Sequence, residues 1–197
     1  MSELDLAVSI ALGIGLAAAT GLRVFLPLLI VSGASYAGYL PVGENFAWLA
    51  TPGAMTLLGV AAIVEILAYY IPGVDNLLDT IATPAAFVAG TVVAAAVITD
   101  LPPMVKWATA VIAGGGIAGA TQGMTALLRA KSTMFTGTLG NPVIATAESG
   151  GSLIVSLLAL AAPLAAILLI VVFFWLTIRL LRRITRRTPP PEASQGS

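Results

Sequence analysis

Long apolar stretches that carry single charged residues set the terms for any fold this chain adopts. Arg23, Glu65, Asp79 and Glu148 each lie inside or beside such a stretch. Crossing about 30 Å of hydrocarbon takes roughly 20 apolar residues in a helix. Five segments approach or exceed that length: Leu6 to Ser32, Ala54 to Ile71, Ala85 to Thr99, Trp107 to Leu128 and Gly151 to Ile178. A helix satisfies its own backbone donors and acceptors, as a lipid interior demands. The expected fold is an all-α integral membrane protein of about five transmembrane helices.

Composition narrows the chemistry. Only 9% of the 197 residues are charged and 58% are hydrophobic, against about 25% charged in a soluble domain. The formal net charge is zero, which argues against a nucleic-acid partner. The chain has no cysteine and no histidine. Disulfides, thiol nucleophiles, the commonest general base and the commonest transition-metal ligand are thereby excluded. No cofactor is expected. Ala17-Ala18-Ala19 resembles a signal-peptidase site, but Glu3 and Asp5 make the leading segment acidic where a signal peptide is basic. A retained first helix is the better expectation.

A break or a strong tilt is foreseen in the first segment. Thr20-Gly21, Arg23 and Pro27 interrupt it, and it is too long for one upright span. The fifth is expected to run on through Pro163. Two longer connections, Gly33 to Gly53 and Lys131 to Gly150, are rich in Gly, Thr, Ser and Pro yet nearly uncharged. They suit either re-entrant segments walled by protein or ordinary surface loops.

Five of the nine basic residues lie between Arg179 and Arg187. Arg179, Arg182, Arg183, Arg186 and Arg187 share one helical face by their i, i+3, i+4, i+7, i+8 spacing. This predicts a basic juxtamembrane helix that meets lipid headgroups, and the positive-inside rule places it in the cytoplasm. Counting back through five spans puts the N-terminus outside. Lys106 then falls inside, in agreement, whereas Arg129 and Lys131 fall outside, against the rule. Thr188 to Ser197, with three consecutive prolines, is expected to be disordered.

The chain also resembles itself. Gly13, Gly15, Ala17, Ala19, Thr20 and Leu26 match Gly114, Gly116, Ala118, Ala120, Thr121 and Leu127 without a gap. Ala54, Gly59, Val64, Leu67, Ala68 and Pro72 match Ala145, Gly150, Val155, Leu158, Ala159 and Pro163. Two collinear blocks suggest a duplication. The expected organisation is one membrane domain over residues 1–187. It comprises a first repeat at 5–80, a linker helix at 81–103, a second repeat at 104–178 and the basic helix at 179–187. An odd number of spans between equivalents would invert the halves, as in many secondary transporters.

Intramembrane charges mark functional sites by default, so Arg23 and Glu65 are candidate ligands for an ion or solute. The plainer alternative is that they neutralise each other in a salt bridge. Asp75 and Asp79, at i, i+4, place two carboxylates on one helical face that a cation, Arg23 or solvent would have to compensate. Alternatively they are acids at a positive helix start. Glu148, Asn141 and Thr146 offer oxygen ligands for a hard cation, although the favoured reading of Glu148 is an acid stabilising the start of the fifth helix. Gly115, Gly119 and Gly123 form a small-residue packing surface, which also suits a homo-oligomer. Thr20 and Thr121 stand near the foreseen polar centre.

The segments Thr20-Gly-Leu-Arg23-Val-Phe-Leu-Pro27 and Glu65-Ile-Leu-Ala-Tyr-Tyr-Ile-Pro72-Gly-Val-Asp75-Asn-Leu-Leu-Asp79 carry a family resemblance. With Gly114 to Thr121, Asn141-Pro142 and Glu148, the chain resembles the bacterial membrane-protein family catalogued as domain of unknown function 4126. The likeness runs over about residues 5 to 165 and leaves the basic helix outside. It implies a multi-pass membrane protein and no particular substrate. The functional expectation is a small transporter or channel of the cytoplasmic membrane for an ion or small solute. The alternatives are a structural or holin-like oligomer and, last, an intramembrane enzyme holding a lipid diphosphate through Asp75 and Asp79.

Overall fold

The computed structural model describes residues 3–71, 73–136 and 139–186, with every side chain in them but those of residues 76 and 184–186. The described residues form helices and turns, with no strand. The expected tail from Thr188 to Ser197 lies outside them, as does Arg187. Helix α1 spans Glu3–Thr20, α2 Phe25–Tyr36, α3 Pro52–Ala68 and α4 Val74–Val97. Helix α5 spans Pro103–Thr109, α6 Gly116–Thr136, α7 Asn141–Ala161 and α8 Pro163–Arg186. A 3₁₀ segment, Glu44–Ala50, precedes α3, and a π-helical segment, Ala110–Gly115, joins α5 to α6.

Five stretches are long and apolar enough to cross a membrane: Glu3–Thr20, Leu77–Val97, Pro103–Thr136, Asn141–Ala161 and Pro163–Arg183. They make this an all-helical, multi-pass membrane protein, but they differ from the expected five. The first apolar segment breaks after Thr20, and α2 follows as a separate short helix with Pro27 in its first turn, where a missing N–H costs nothing. The expected second span is only 17 residues of helix. It reaches spanning length together with the 3₁₀ segment, across a 69° bend, the geometry of a broken span or of a re-entrant loop.

The third span is longer than expected because Pro84 lies inside α4 rather than ahead of it. The Thr83 hydroxyl, on the residue before it, donates to the Asp79 carbonyl at 3.4 Å. The expected fifth span is two helices. Pro163 cannot continue α7, so the chain bends at Ala162 and Pro163 opens α8 at its first residue. The expected long connection from Lys131 to Gly150 is also corrected. Helix α6 runs to Thr136 and α7 starts at Asn141, so most of that connection is helix.

Small residues draw these helices together. A Cβ on Gly15 would stand 2.9 Å from the Ala159 Cβ and 3.3 Å from that of Ala166, so α1 lies against α7 and α8. Helix α4 is central, with 56% of its span buried against 17% for that of α8. It crosses the π-helical segment and the start of α6, where Gly114 meets Ala94 and Gly90 meets Ala118. The expected Gly115, Gly119, Gly123 surface is only partly used. Gly115 abuts Thr91 and Phe87 of α4, Gly119 is 3.8 Å from Phe87, and Gly123 faces nothing. The close approaches are those of Gly114, Gly115 and Ala118. Outward faces are apolar: Leu57, Val60, Ile63, Val64 and Leu67 of α3, and Leu164, Leu168, Val171 and Trp175 of α8, are exposed.

Candidate functional site

The break between α1 and α2 exists for Arg23. Gly21 ends α1 so close to α6 that any Cβ would collide with the Ala118 carbonyl and Thr121. The chain then turns and buries the Arg23 side chain, which is 2% exposed. Its guanidinium reaches across to one turn of α7. Nη1 donates to Glu148 Oε2 at 2.9 Å, Nη2 to the Ala145 carbonyl at 2.8 Å and Nε to Ser149 Oγ at 3.0 Å.

A second arginine completes the site. Arg129 of α6 is fully buried and binds the same Glu148 Oε2 through Nη2. Its Nε lies 3.2 Å from Asp79 Oδ2 on α4. Both guanidinium carbons sit over the ring of Tyr69, at 4.2 Å and 4.3 Å from its centroid. Desolvated cation–π contacts of this kind contribute about 2 kcal/mol. The cluster holds two cations and two carboxylates, Arg23, Arg129, Asp79 and Glu148, so the formal charges balance. Several polar atoms are left over: Arg129 Nη1, Asp79 Oδ1 and Glu148 Oε1 have no hydrogen-bond partner among the described residues.

Glu65 is not Arg23's salt-bridge partner. Its two carboxylate oxygens accept from the backbone N–H groups of Val24, at 2.7 Å, and Phe25, at 3.0 Å. No side chain caps α2 from within, so this carboxylate from α3 satisfies the orphan donors and meets the positive helix end. Substituting Glu65 by Ala is expected to lower stability by about 0.5–2 kcal/mol, the range for a lost cap. Chemical unfolding of the purified protein in micelles measures it.

Asp75 and Asp79 do share a face, but they serve different partners. Asp75 Oδ2 accepts from Asn141 Nδ2 at 2.6 Å, and its Oδ1 accepts from the Gly73 N–H at 2.9 Å. Asn141 Nδ2 also donates to Thr133 Oγ1 at 3.0 Å, so the start of α4 is tied to α6 and α7. The oxygens suggested for a hard cation do not converge. Asn141 goes to Asp75, Thr146 meets the Tyr70 hydroxyl at 2.8 Å, and Glu148 joins the arginines. Nor is Glu148 an acid at a helix start, since it is the eighth residue of α7. Among the described residues no group of three or more acidic side chains is placed to hold a metal ion.

Thr20 and Thr121 lie in helix contacts beside the cluster. Each hydroxyl donates to its own helix, to the Ala17 carbonyl at 2.6 Å and the Ile117 carbonyl at 2.8 Å. On α8, the Arg179 guanidinium lies 5.1 Å from the Trp175 ring centroid. Arg179, Arg182 and Arg183 border a surface hollow with Trp175 and Ile178. The side chain of Arg186 lies outside the described residues.

Sequence reasoning missed Arg129 and Tyr69 as site residues. Arg129 had registered only as a charge on the wrong side of the membrane. Its burial in the cluster shows that it is not a flanking charge at all. No curated protein and no solved structure matches the chain. A family model matches residues 10–183, and so takes in Arg179, Arg182 and Arg183, which had been placed outside the likeness. With the broken first helix, the Glu65 to Asp79 stretch and Glu148 all inside that range, the chain belongs to the family described as Domain of unknown function (DUF4126).

Proposed function

We propose that this protein moves a small ion or solute across the membrane, with the buried cluster as its site. The convergence of Arg23, Asp79, Arg129 and Glu148 from four separate segments carries this reading. Ionisable groups in a spanning bundle are costly, pair with one another and mark ion or substrate paths.

The repeat supports the same reading. Helix α3 ends shortly before Pro72 and is followed by the 24-residue α4. Helix α7 ends just before Pro163 and is followed by the 24-residue α8. On this reading α4 is the counterpart of α8, not a linker, and the halves are α1–α4 and α5–α8. With the bent pair of the 3₁₀ segment and α3 counted as one crossing, each half has three spans and the halves are inverted. Each half contributes one cation and one carboxylate to the cluster, Arg23 with Asp79 and Arg129 with Glu148. The membrane is the cytoplasmic one, with Arg179, Arg182 and Arg183 directed to the cytoplasm and its anionic headgroups.

Flux through proteoliposomes, over a panel of ions and small metabolites, tests the proposal. Asp79→Asn is expected to reduce flux roughly tenfold or more, the factor that corresponds to about 1.4 kcal/mol at the site. Glu65→Gln, which alters only the cap of α2, leaves flux near wild type. Equal flux in wild type and Asp79→Asn counts against the cluster as the site, and no flux across the panel counts against transport.

The complete pairing of the four charges favours a second reading, in which the cluster only holds the helices of a structural or holin-like protein together. Loss of function on deleting residues 179–187, with none from Asp79→Asn, supports that reading. The enzyme reading ranks third, because Asp75 is engaged by Asn141 and Asp79 by Arg129. Magnesium-dependent turnover of a lipid diphosphate, abolished by Asp79→Asn, would be its mark.

A further inference from the structure

The cluster lies close to one end of the bundle. Asp79 is the sixth residue of α4, roughly 8 Å from the helix start and roughly 27 Å from its end at about 1.5 Å per residue. Glu148 is the eighth of the 21 residues of α7, and Arg129 is in the last third of α6. The same end carries most of the basic residues. Lys131 follows Arg129 on α6. Helix α7 runs away from this end and α8 returns to it, past Phe173, which lines one cavity with Glu148, to Arg179, Arg182 and Arg183. Lys131 therefore shares a side with the arginines of α8 instead of facing them across the membrane. Lys106 stands at the opposite end, near the start of the span Pro103–Thr136. By the positive-inside rule, this distribution favours the cytoplasm for the cluster's end.

A layer of hydrogen-bonded side chains stands between the cluster and that end. Asp75 and Thr133 lie one turn beyond Asp79 and Arg129, and Asn141 lies two turns before Glu148. Asn141 Nδ2 donates to Asp75 Oδ2 at 2.6 Å and to Thr133 Oγ1 at 3.0 Å, so one amide joins three helices. Asp75 and Asn141 are both buried. Behind the layer, one turn along α7 from Asn141, fully buried Ala145 gives its carbonyl to Arg23. Toward the opposite end the helices are held differently, by backbone approach of Gly114 to Ala94, Gly90 to Ala118 and Gly15 to Ala159.

The two ends resist opening to different degrees. Hydrogen bonds between side chains exchange for bonds to water at small net cost. Parting Gly and Ala faces forfeits close-packed contacts that water does not replace. The shorter way out of the cluster is thus also the one that water can open. Resting on the reading of the cluster as a transport site, we propose that solute reaches it from the end that carries Arg179, Arg182 and Arg183, through a gate closed by Asp75, Thr133 and Asn141. Asn141 is the latch, because it bonds to both of the others.

Thiol labelling of the full chain tests this, and the sequence has no native cysteine to interfere. Ala145→Cys places a thiol between the layer and the cluster, in membrane vesicles exposed on one side to a charged, impermeant methanethiosulfonate. Asn141→Asp, which sets a second carboxylate against Asp75, is expected to speed labelling roughly tenfold or more, the order for one lost hydrogen bond to a charged group. The faster labelling should come from the side that labels Arg183→Cys. Asn141→Ala, which removes the amide without adding charge, is expected to act in the same direction. Adding Asp75→Asn to Asn141→Asp exchanges amide and carboxylate, and should return the rate to that of Ala145→Cys alone. Ser156→Cys, fully buried two turns past Glu148 on α7, reports general loosening and should stay slow throughout. Ser149→Cys, a near-isosteric change beside Arg23, carries the series should Ala145→Cys not fold. A rate unchanged by Asn141→Asp and Asn141→Ala, labelling from the side opposite to Arg183→Cys, an equal gain at Ser156→Cys, or no return on adding Asp75→Asn overturns the proposal. The readout is access, not flux, so a protein that does not transport and a gate wrongly placed are told apart.

Discussion

Replacing Glu148 by Leu is expected to lower stability by about 3–5 kcal/mol, the cost of breaking a buried ion pair by removing one partner. Both guanidiniums use the same oxygen of this side chain, and both arginines are all but inaccessible. Without it, Arg23 keeps the Ala145 carbonyl and Ser149 hydroxyl, and Arg129 keeps Asp79. Those contacts leave one net positive charge in the bundle with no counter-ion. Substituting all four members together, Arg23→Met, Asp79→Leu, Arg129→Met and Glu148→Leu, is expected to recover most of the loss, since burying apolar groups in place of a closed ion cluster is often neutral or stabilising. Denaturant titration of the purified variants in micelles makes the comparison. A single variant as stable as wild type would mean that Glu148 does not lie between the two arginines.

The second large effect concerns backbone approach. Gly114→Val is expected to cost about 3 kcal/mol or to prevent folding, at or above the upper end for overpacking. Its Cβ would stand 2.6 Å from the Ala94 Cβ and 2.8 Å from the Gly90 carbonyl oxygen. The backbone of α4 cannot move aside as a flexible side chain can. Ala94→Gly removes the first collision but not the second, so it is expected to rescue only in part. Gly123→Ala is the matching control. Nothing lies near a Cβ there, and replacing a mid-helix glycine by alanine stabilises by roughly 0.5–1 kcal/mol. Thermal denaturation that ranks these two variants in the opposite order would show that the packing surface had been misplaced.

Much of this site is visible in the residues themselves. Arg23, Asp79 and Glu148 stand out because charges in apolar surroundings need partners, and those three meet. Glu65 stood out by the same logic but has a backbone partner, since the orphan N–H groups of α2 compete for a carboxylate as an arginine does. Arg129 was hidden by its position two residues before Lys131, where a pair of basic residues reads as a span's flank. A clearer signal was available. Thr121, Gln122, Thr125 and Arg129 recur at helical spacing and are all buried. So do Asn141, Glu148, Ser152 and Ser156 on α7. In a spanning helix a polar stripe of this period turns inward, and two such stripes would have pointed to the cluster. Tyr69 was lost among residues of the aromatic type expected at a membrane boundary. The number of spans was legible but their boundaries were not: proline's place within an apolar run does not say whether it interrupts a helix, as at Pro163, or is absorbed, as at Pro84.

The convergence of these charges inside the bilayer can be measured directly by solid-state NMR. Protein in lipid bilayers, labelled with ¹³Cδ in glutamate and ¹⁵Nη in arginine, reports any carboxyl that touches a guanidinium through dipolar dephasing. The expected spectrum shows one strongly dephased glutamate carboxyl. It should weaken when Arg129 is substituted by Met and vanish when Glu148 is substituted by Gln. Glutamate carboxyls that all remain undephased, or a strong signal that survives Glu148→Gln, would contradict the buried cluster.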